Sequence, residues 1–294
     1  MATRRRSPRA AAATARIHVG LAAAGIGERM RLDPTERARY ARDGYVVRSG
    51  AMTRDEVAAW CDVVEKVVAR VVAHATRPDG GPEMQLGDGH RIQFSSRSAI
   101  QWEWAPGSRQ VRLLEPFTHL DPRFGRLWDD PRLVEPMKDV LGTDDVAPWT
   151  CKLNLKRPHE GSEFPWHQDF PYWYAFAGAA ARDIATAVLF LDDATIENGA
   201  IRVLPGSHAA GPASRNPNDP TRFLADPAKI DARRERAIEV GAGGVLLLSS
   251  LLLHRSSPNL STHQRRAMLL SFQPAGRARQ NELPWDPERV ADLP

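Results

Sequence analysis

The sequence predicts an α+β chain with helices in front and a β-sandwich or barrel core behind. Three observations predict it. Capping signatures open four helical patterns between Asp33 and Gly142. After Pro148 the apolar period falls from helical to two, and short strand-like runs then alternate with turn residues as far as residue 273.

The first helix opens at DPTE, with Asp33 as N-cap, Pro34 at N1 and Glu36 closing a capping box, and it ends at Gly44. Tyr45, Val46 and Val47 form a short extended run. Thr53 with Glu56 repeats the box before a long helix. There Val57, Trp60, Cys61, Val64, Val67, Val68, Val71 and Val72 recur at helical spacing, so one face packs on the body. Residues 90–104 read as extended and turn-like, with Trp102 and Trp104 on one face. Asp121-Pro122 and Asp130-Pro131 open two more helices, the second ending near Gly142.

In the second half, Cys151, Leu153 and Leu155 alternate with Lys152, Asn154 and Lys156, the pattern of a half-buried strand. Residues 184–191 read as a buried strand, Glu197-Asn198-Gly199 as a tight turn and residues 201–204 as another strand. Residues 208–236, rich in Pro, Asn, Asp and Arg, read as a long surface excursion, and residues 245–248 and 267–272 as two more core strands. The expected organisation is one domain over 33–273, with a helical front (33–148) and a β-core (149–273). A basic, disordered leader over 1–32 precedes it, and a tail with few apolar anchors over 274–294 follows.

With 42% apolar and 26% charged residues, the composition is that of a globular protein and excludes a disordered, collagen-like or coiled-coil chain. No apolar run reaches the roughly 18 residues of a membrane span. A formal net charge of +4 invites a nucleic-acid reading, but residues 1–32 hold seven Arg against one Glu, and the rest carries 33 basic and 35 acidic residues. The body is slightly acidic, so no nucleic-acid or membrane partner is expected. The leader fits a secretory signal, a transit peptide, a disordered arm or a mis-assigned start. The last is preferred, because Arg16 breaks the apolar stretch and Met30 stands just before the first folded segment. Cys61 and Cys151 allow neither a disulfide scaffold nor a CxxC metal site and fit a reducing, cytoplasmic setting. Arg outnumbers Lys by 35 to 5, which points to a GC-rich, bacterial genome. The expected state is monomer or homodimer.

Nine His and 21 Asp give about 0.6 His-x-Asp pairs by chance, and the chain has two. In His119-Leu120-Asp121 the Asp is already used as an N-cap. His167-Gln168-Asp169 follows a strand and a loop, and aromatic residues flank it: Trp166, Phe170, Tyr172, Trp173 and Tyr174. On extended backbone, residues two apart share a face, so both side chains reach one ion. The candidate third ligand is His254, a polar ring at the end of an apolar strand. Two imidazoles and a carboxylate on one face make the facial triad of non-haem Fe(II) oxygenases. The competing reading makes His254 a satisfied strand-end histidine and the aromatics mere packing. Arg265, at the start of a strand, can offer a bidentate fork to a carboxylate. Arg266, on the opposite face by alternation, is its competitor.

HQD at 167–169, ENGAIRVLPGSH at 197–208, His254 and Arg265 occur in this order after an opening RDGYVVRSGAMTRDEV at 42–57. Over residues 34 to about 273 the chain thereby resembles the phytanoyl-CoA dioxygenase-like (PhyH-like) family of Fe(II)- and 2-oxoglutarate-dependent oxygenases. The resemblance implies a double-stranded β-helix, or jelly roll, with flanking N-terminal helices. It implies His167, Asp169 and His254 as iron ligands and Arg265 as the partner of the distal carboxylate of 2-oxoglutarate. Ser256 is implied on the same carboxylate, and Asn154 facing the cosubstrate. Fe(II), 2-oxoglutarate and dioxygen are then the cofactor and cosubstrates, and a small molecule, such as a specialised-metabolite intermediate, is the substrate. Hydroxylation of an aliphatic C–H with release of succinate and CO2 is the implied reaction, and Asp169 stands where related halogenases carry a small residue. Desaturation, cyclisation or epimerisation would use the same residues. Trp166, Tyr172 and Trp173 are expected at the substrate pocket, with 208–236 as a lid. His208 reads as a turn residue, and His159 and His263 as solvated. Two rivals remain: a zinc hydrolase, which leaves Arg265 unexplained, and a metal-free jelly-roll binding domain, which does not need these four residues together.

Overall fold

The computed structural model describes residues 30–86 and 89–293. Most of the expected leader lies outside the described residues. Its last residues belong to the body: Leu32 is buried, and Arg31 pairs with Asp139 at 3.3 Å and Asp144 at 2.8 Å.

Helix α1 (Pro34–Asp43) carries the expected capping box and ends at Gly44 in the left-handed region. After β1 (Tyr45–Arg48), α2 (Arg54–Ala75) opens on the Thr53–Glu56 box. Its buried face is Val57, Val63, Val64, Val67, Val68, Val71 and Ala75, whereas Trp60, Cys61 and Val72 are only half-buried at its edge. Strands β2 (Glu83–Gln85), β3 (Arg91–Ser95), β4 (Ser98–Trp102) and β5 (Val111–Glu115) follow. The front is therefore not purely helical, as these strands extend the main sheet. Helices α3 (Pro122–Gly125) and α4 (Pro131–Leu141) are capped by Asp121 and Asp130 as expected.

The rest is β6 (Val146–Lys156), β7 (Phe164–His167), α5 (Phe170–Ala177), β8 (Ala185–Phe190), β9 (Ile201–Val203), β10 (Arg236–Ile238), β11 (Val245–Ser249), β12 (His254–Ser256) and β13 (Arg265–Pro274). They form two antiparallel sheets, of nine strands in the order β1-β11-β8-β13-β6-β5-β4-β3-β2 and of four in the order β10-β9-β12-β7.

Period-two alternation gives the large sheet two buried faces. One face, with Cys151, Leu153, Leu155, Leu189, Leu247, Met268 and Leu270, packs on α2 and α4. The other, with Val188, Phe190, Leu246, Leu248 and Ala267, packs on Ile201, Val203 and Ile238 of the small sheet. Strand β6 is thus not half-solvated: Lys152, Asn154 and Lys156 point into the interior, and Lys156 is 2% exposed. The Glu197-Asn198-Gly199 turn explains its glycine, whose φ is +85° and where a Cβ would lie 2.5 Å from the Ser257 carbonyl.

Two expected surface segments are anchored. The excursion after Ser207 pairs Leu224 with His167 by a backbone bridge, donates Ala225 N–H to Trp166 O, and stacks Phe223 on Tyr172. The tail buries Val290 against Ala175 and Phe223, so it has the apolar anchor its composition did not suggest.

Candidate metal centre

Strand β7 carries one extra residue against β12: His254 faces His167, and Ser256 faces Phe164. Because of this bulge both Phe164 and His167 turn inward. Chain direction then changes at Asp169, which opens α5 with helical backbone angles and makes no side-chain cap bond. Asp121, by contrast, caps Arg123 N and pairs with the Arg123 guanidinium. Of the two His-x-Asp pairs, only His167–Asp169 has a carboxylate that is not spent on a helix cap.

The donor atoms of His167, Asp169 and His254 lie within 4.8 Å of one another. His167 Nδ1 sits 2.7 Å from Pro165 O, and His254 Nδ1 sits 2.9 Å from Leu252 O. A carbonyl can only accept, so each Nδ1 carries a proton, and in the neutral ring the lone pair then falls on Nε2, the tautomer a metal requires. Burial, and then the neighbouring His254, push the His167 imidazole down to about 3, so it is neutral. Burial alone would raise the Asp169 carboxyl, but Lys152 at 3.7 Å and the two imidazoles outweigh it and hold the group below its ordinary value. Two imidazoles and one carboxylate in a low-dielectric wall suit a divalent cation.

Arg265 and Arg266 part as strand alternation requires. Arg266 turns to the helical side and pairs with Asp192 at 2.7 Å and Glu65 at 3.0 Å. Arg265, 2% exposed, lines the triad cavity, and its side chain has no anion or hydrogen-bond partner among the described residues. Burial pushes it down to about 10, with Asp192 opposing. A buried guanidinium without a partner is costly, and the cavity is thereby built to receive an anion. Ser256 and Asn154 line the same cavity, and Asn154 Oδ1 is buried with no donor.

The three aromatic candidates do not line this cavity. Trp166, displaced by the bulge, packs on Leu204, Ala225 and Leu253 under the Arg255 guanidinium. Trp173 is buried with Trp149, Phe170 and Ile184, and Tyr172 stands outside, stacked on Phe223 at 4.1 Å. His208 sits in a short 3-10 turn, and His159 and His263 are exposed. Sequence reading missed Lys152, which lines the cavity beside Asp169, and Lys156, which burial and the nearby Arg265 push down to about 6. The signal was available: both lie on the face of β6 that also carries Asn154.

A facial triad of two histidines and one aspartate on the inner wall of an antiparallel β core defines the class of mononuclear non-haem iron oxygenases. Within that class, a family model described as phytanoyl-CoA dioxygenase (PhyH) matches residues 40–267, and the chain belongs to this family. It is an iron- and 2-oxoglutarate-dependent dioxygenase. It is 32% identical over 184 residues to L-proline trans-4-hydroxylase of Streptomyces griseoviridis, a match that covers 56% of this chain and 68% of that protein. A crystal structure of EctD from S. alaskensis with 2-oxoglutarate and 5-hydroxyectoine shares the fold at TM-score 0.61 and 24% identity, over 83% of this chain and 76% of that one. So does the epimerase SnoN, in complex with Fe3+, alpha ketoglutarate and nogalamycin RO, at TM-score 0.62 and 19% identity, over 88% and 89%. No helix among the described residues is long and apolar enough to cross a membrane.

Proposed function

We propose that the chain hydroxylates an aliphatic C–H bond of a small molecule, with one oxygen of O2 entering the alcohol and the other entering succinate as 2-oxoglutarate loses CO2. The observation that carries this reading is Arg265: a buried guanidinium with no partner, in the same cavity as the triad. In this reading His167, Asp169 and His254 hold the iron. Arg265 takes the distal carboxylate of 2-oxoglutarate, with Ser256 Oγ donating to the same group and Asn154 facing the cosubstrate. When bound, iron and 2-oxoglutarate supply the oxidising power that breaks the C–H bond.

The protein's own part is geometry and exclusion of water. The Pro165 and Leu252 carbonyls fix both imidazole tautomers. Arg265 fixes one end of the cosubstrate, and Val188, Leu248 and Leu269 wall the cavity with apolar surface. The two sheets are read as a double-stranded β-helix, and the two unpaired cysteines fit a cytoplasmic setting. Epimerisation, desaturation or cyclisation would use the same residues. SnoN, an epimerase of the same fold, is the observation that favours keeping that second reading.

The test is anaerobic titration of the metal-free protein with Fe(II) and then 2-oxoglutarate. A weak visible charge-transfer band is expected, followed on admitting air by succinate release. Tight zinc binding with no such band would overturn the reading.

A further inference from the structure

The triad cavity encloses only about 60 Å3, and Arg265 stands at one level of it. Arg265 is paired in register with Lys156, whereas Lys152, on the same face of β6, is paired with Leu269. Four residues of strand separate the two levels, roughly 13 Å at the rise of an extended chain. At the far level Lys152 Nζ lies 3.7 Å from Asp169 Oδ1 and 3.9 Å from Glu115 Oε2, with the Tyr172 and Trp173 rings 5.8 and 5.9 Å away. Neither carboxylate is within hydrogen-bond length, so the ammonium is balanced by charge while its donors stay unengaged among the described residues. Glu115 Oε1 accepts from Thr150 Oγ1 at 2.9 Å, which leaves Oε2 turned to Lys152.

Glu115 also stands at a junction. Its neighbour Pro116 and its partner Thr150 line a second cavity of about 320 Å3, beyond the Leu114–Leu153 pair at which β5 parts from β6. Asp169 is committed to the metal in the proposed function, on which this inference rests. Lys152 and Glu115 then remain as a neighbouring positive and negative group of zero net charge, each with unused hydrogen-bonding capacity. A simple anion placed there would meet Glu115, and a simple cation would meet Lys152, each at a cost magnified by burial. A ligand carrying both charges satisfies both.

We propose that Lys152 and Glu115 recognise the substrate, and that the substrate is a small zwitterion, a free amino or imino acid. Its carboxylate lies on Lys152 and its ammonium on Glu115, which holds its remaining carbons beside Asp169.

The test is calorimetric titration of the protein loaded with Mn(II) and 2-oxoglutarate, which binds without turning over. The probes are the common free amino acids, L-proline among them, each beside its N-acetyl and its carboxamide derivative. At least one free amino acid is expected to bind, with both blocked derivatives weaker by about tenfold or more. Glu115→Gln should weaken the free form by about tenfold and abolish the penalty for N-acetylation, and Lys152→Met should do the same for the carboxamide. Each variant is first titrated with Mn(II), so that damage to the metal site is read separately. The inference is overturned if blocked derivatives bind as well as free ones, or if no free amino acid binds a protein that takes up Mn(II) and 2-oxoglutarate. It is equally overturned if both variants retain Mn(II) and bind like the parent. Failure of the parent to take up Mn(II) and 2-oxoglutarate would sink the dioxygenase reading itself.

Discussion

His254 and His167 are direct partners across the β12–β7 pair, their ring centroids 4.1 Å apart, and each holds its Nδ1 proton on the carbonyl two residues before it. The candidate metal centre is thus built into a strand register. Replacing either ring, or Asp169, by Ala should weaken Mn(II) binding by about 100-fold, as read by electron paramagnetic resonance, and should stop succinate release. Retention of both by His254→Ala would move the metal elsewhere.

Arg265 and Arg266 should separate function from stability. Arg265→Leu removes a buried charge with no protein partner, so the metal-free protein should melt no lower than the parent, while affinity for 2-oxoglutarate falls by about 100-fold. Arg266→Leu strips Asp192 and Glu65 of their partner and should cost about 3 kcal/mol of stability with 2-oxoglutarate binding retained. The reverse pattern would mean that the strand register is wrong.

Lys156 predicts a pH dependence with a definite sign. Its ammonium donates to the Ser162 and Ser257 carbonyls, yet burial beside Arg265 and Arg112 lowers its pKa from 10.5 to about 6. Between those two values the unfolded chain binds the proton more firmly than the folded one, so this group makes folding more favourable as pH rises from about 6 to 10.5. Parent stability measured against Lys156→Met should therefore climb through that window, by at most about 1.4 kcal/mol per pH unit. A difference that is flat in pH would refute it.

Gln168, between His167 and Asp169, is 2% exposed and donates to the Gly211 and Leu251 carbonyls while accepting from Ala213 N–H. It ties the ligand turn to the excursion and to the approach of β12. Gln168→Ala leaves one buried and two half-buried backbone groups unpaired and should cost about 2 kcal/mol in denaturant unfolding. A cost below about 0.5 kcal/mol would mean that water replaces the amide at no loss.

The legible part of the site was its order and spacing. His167, Asp169, His254 and Arg265, singled out for their residue types and order, do meet around one cavity. Helix starts at Asp33, Thr53, Asp121 and Asp130 were legible for a similar reason, since caps are local chemistry. What failed was anything set by the partner strand. The β7 bulge is invisible in one strand's sequence, and it moved Trp166 away from the cavity that its alternation with the ligands suggested. Lys152 and Lys156 looked like a solvated face because alternation reveals two faces but not what covers the second. The tail's single deep anchor, Val290, is too sparse a signal to stand out from a loop.

The Leu224–His167 bridge gives the excursion an unusual mechanical status. A segment laid over an active site commonly hinges at its ends and swings free. Here its middle is hydrogen-bonded to the backbone of β7, so it cannot lift without tugging on the edge that carries His167. Susceptibility of residues 213–236 to a protease thus becomes a gauge of the centre, slow to nick when metal stiffens the strand and faster when a chelator has stripped it.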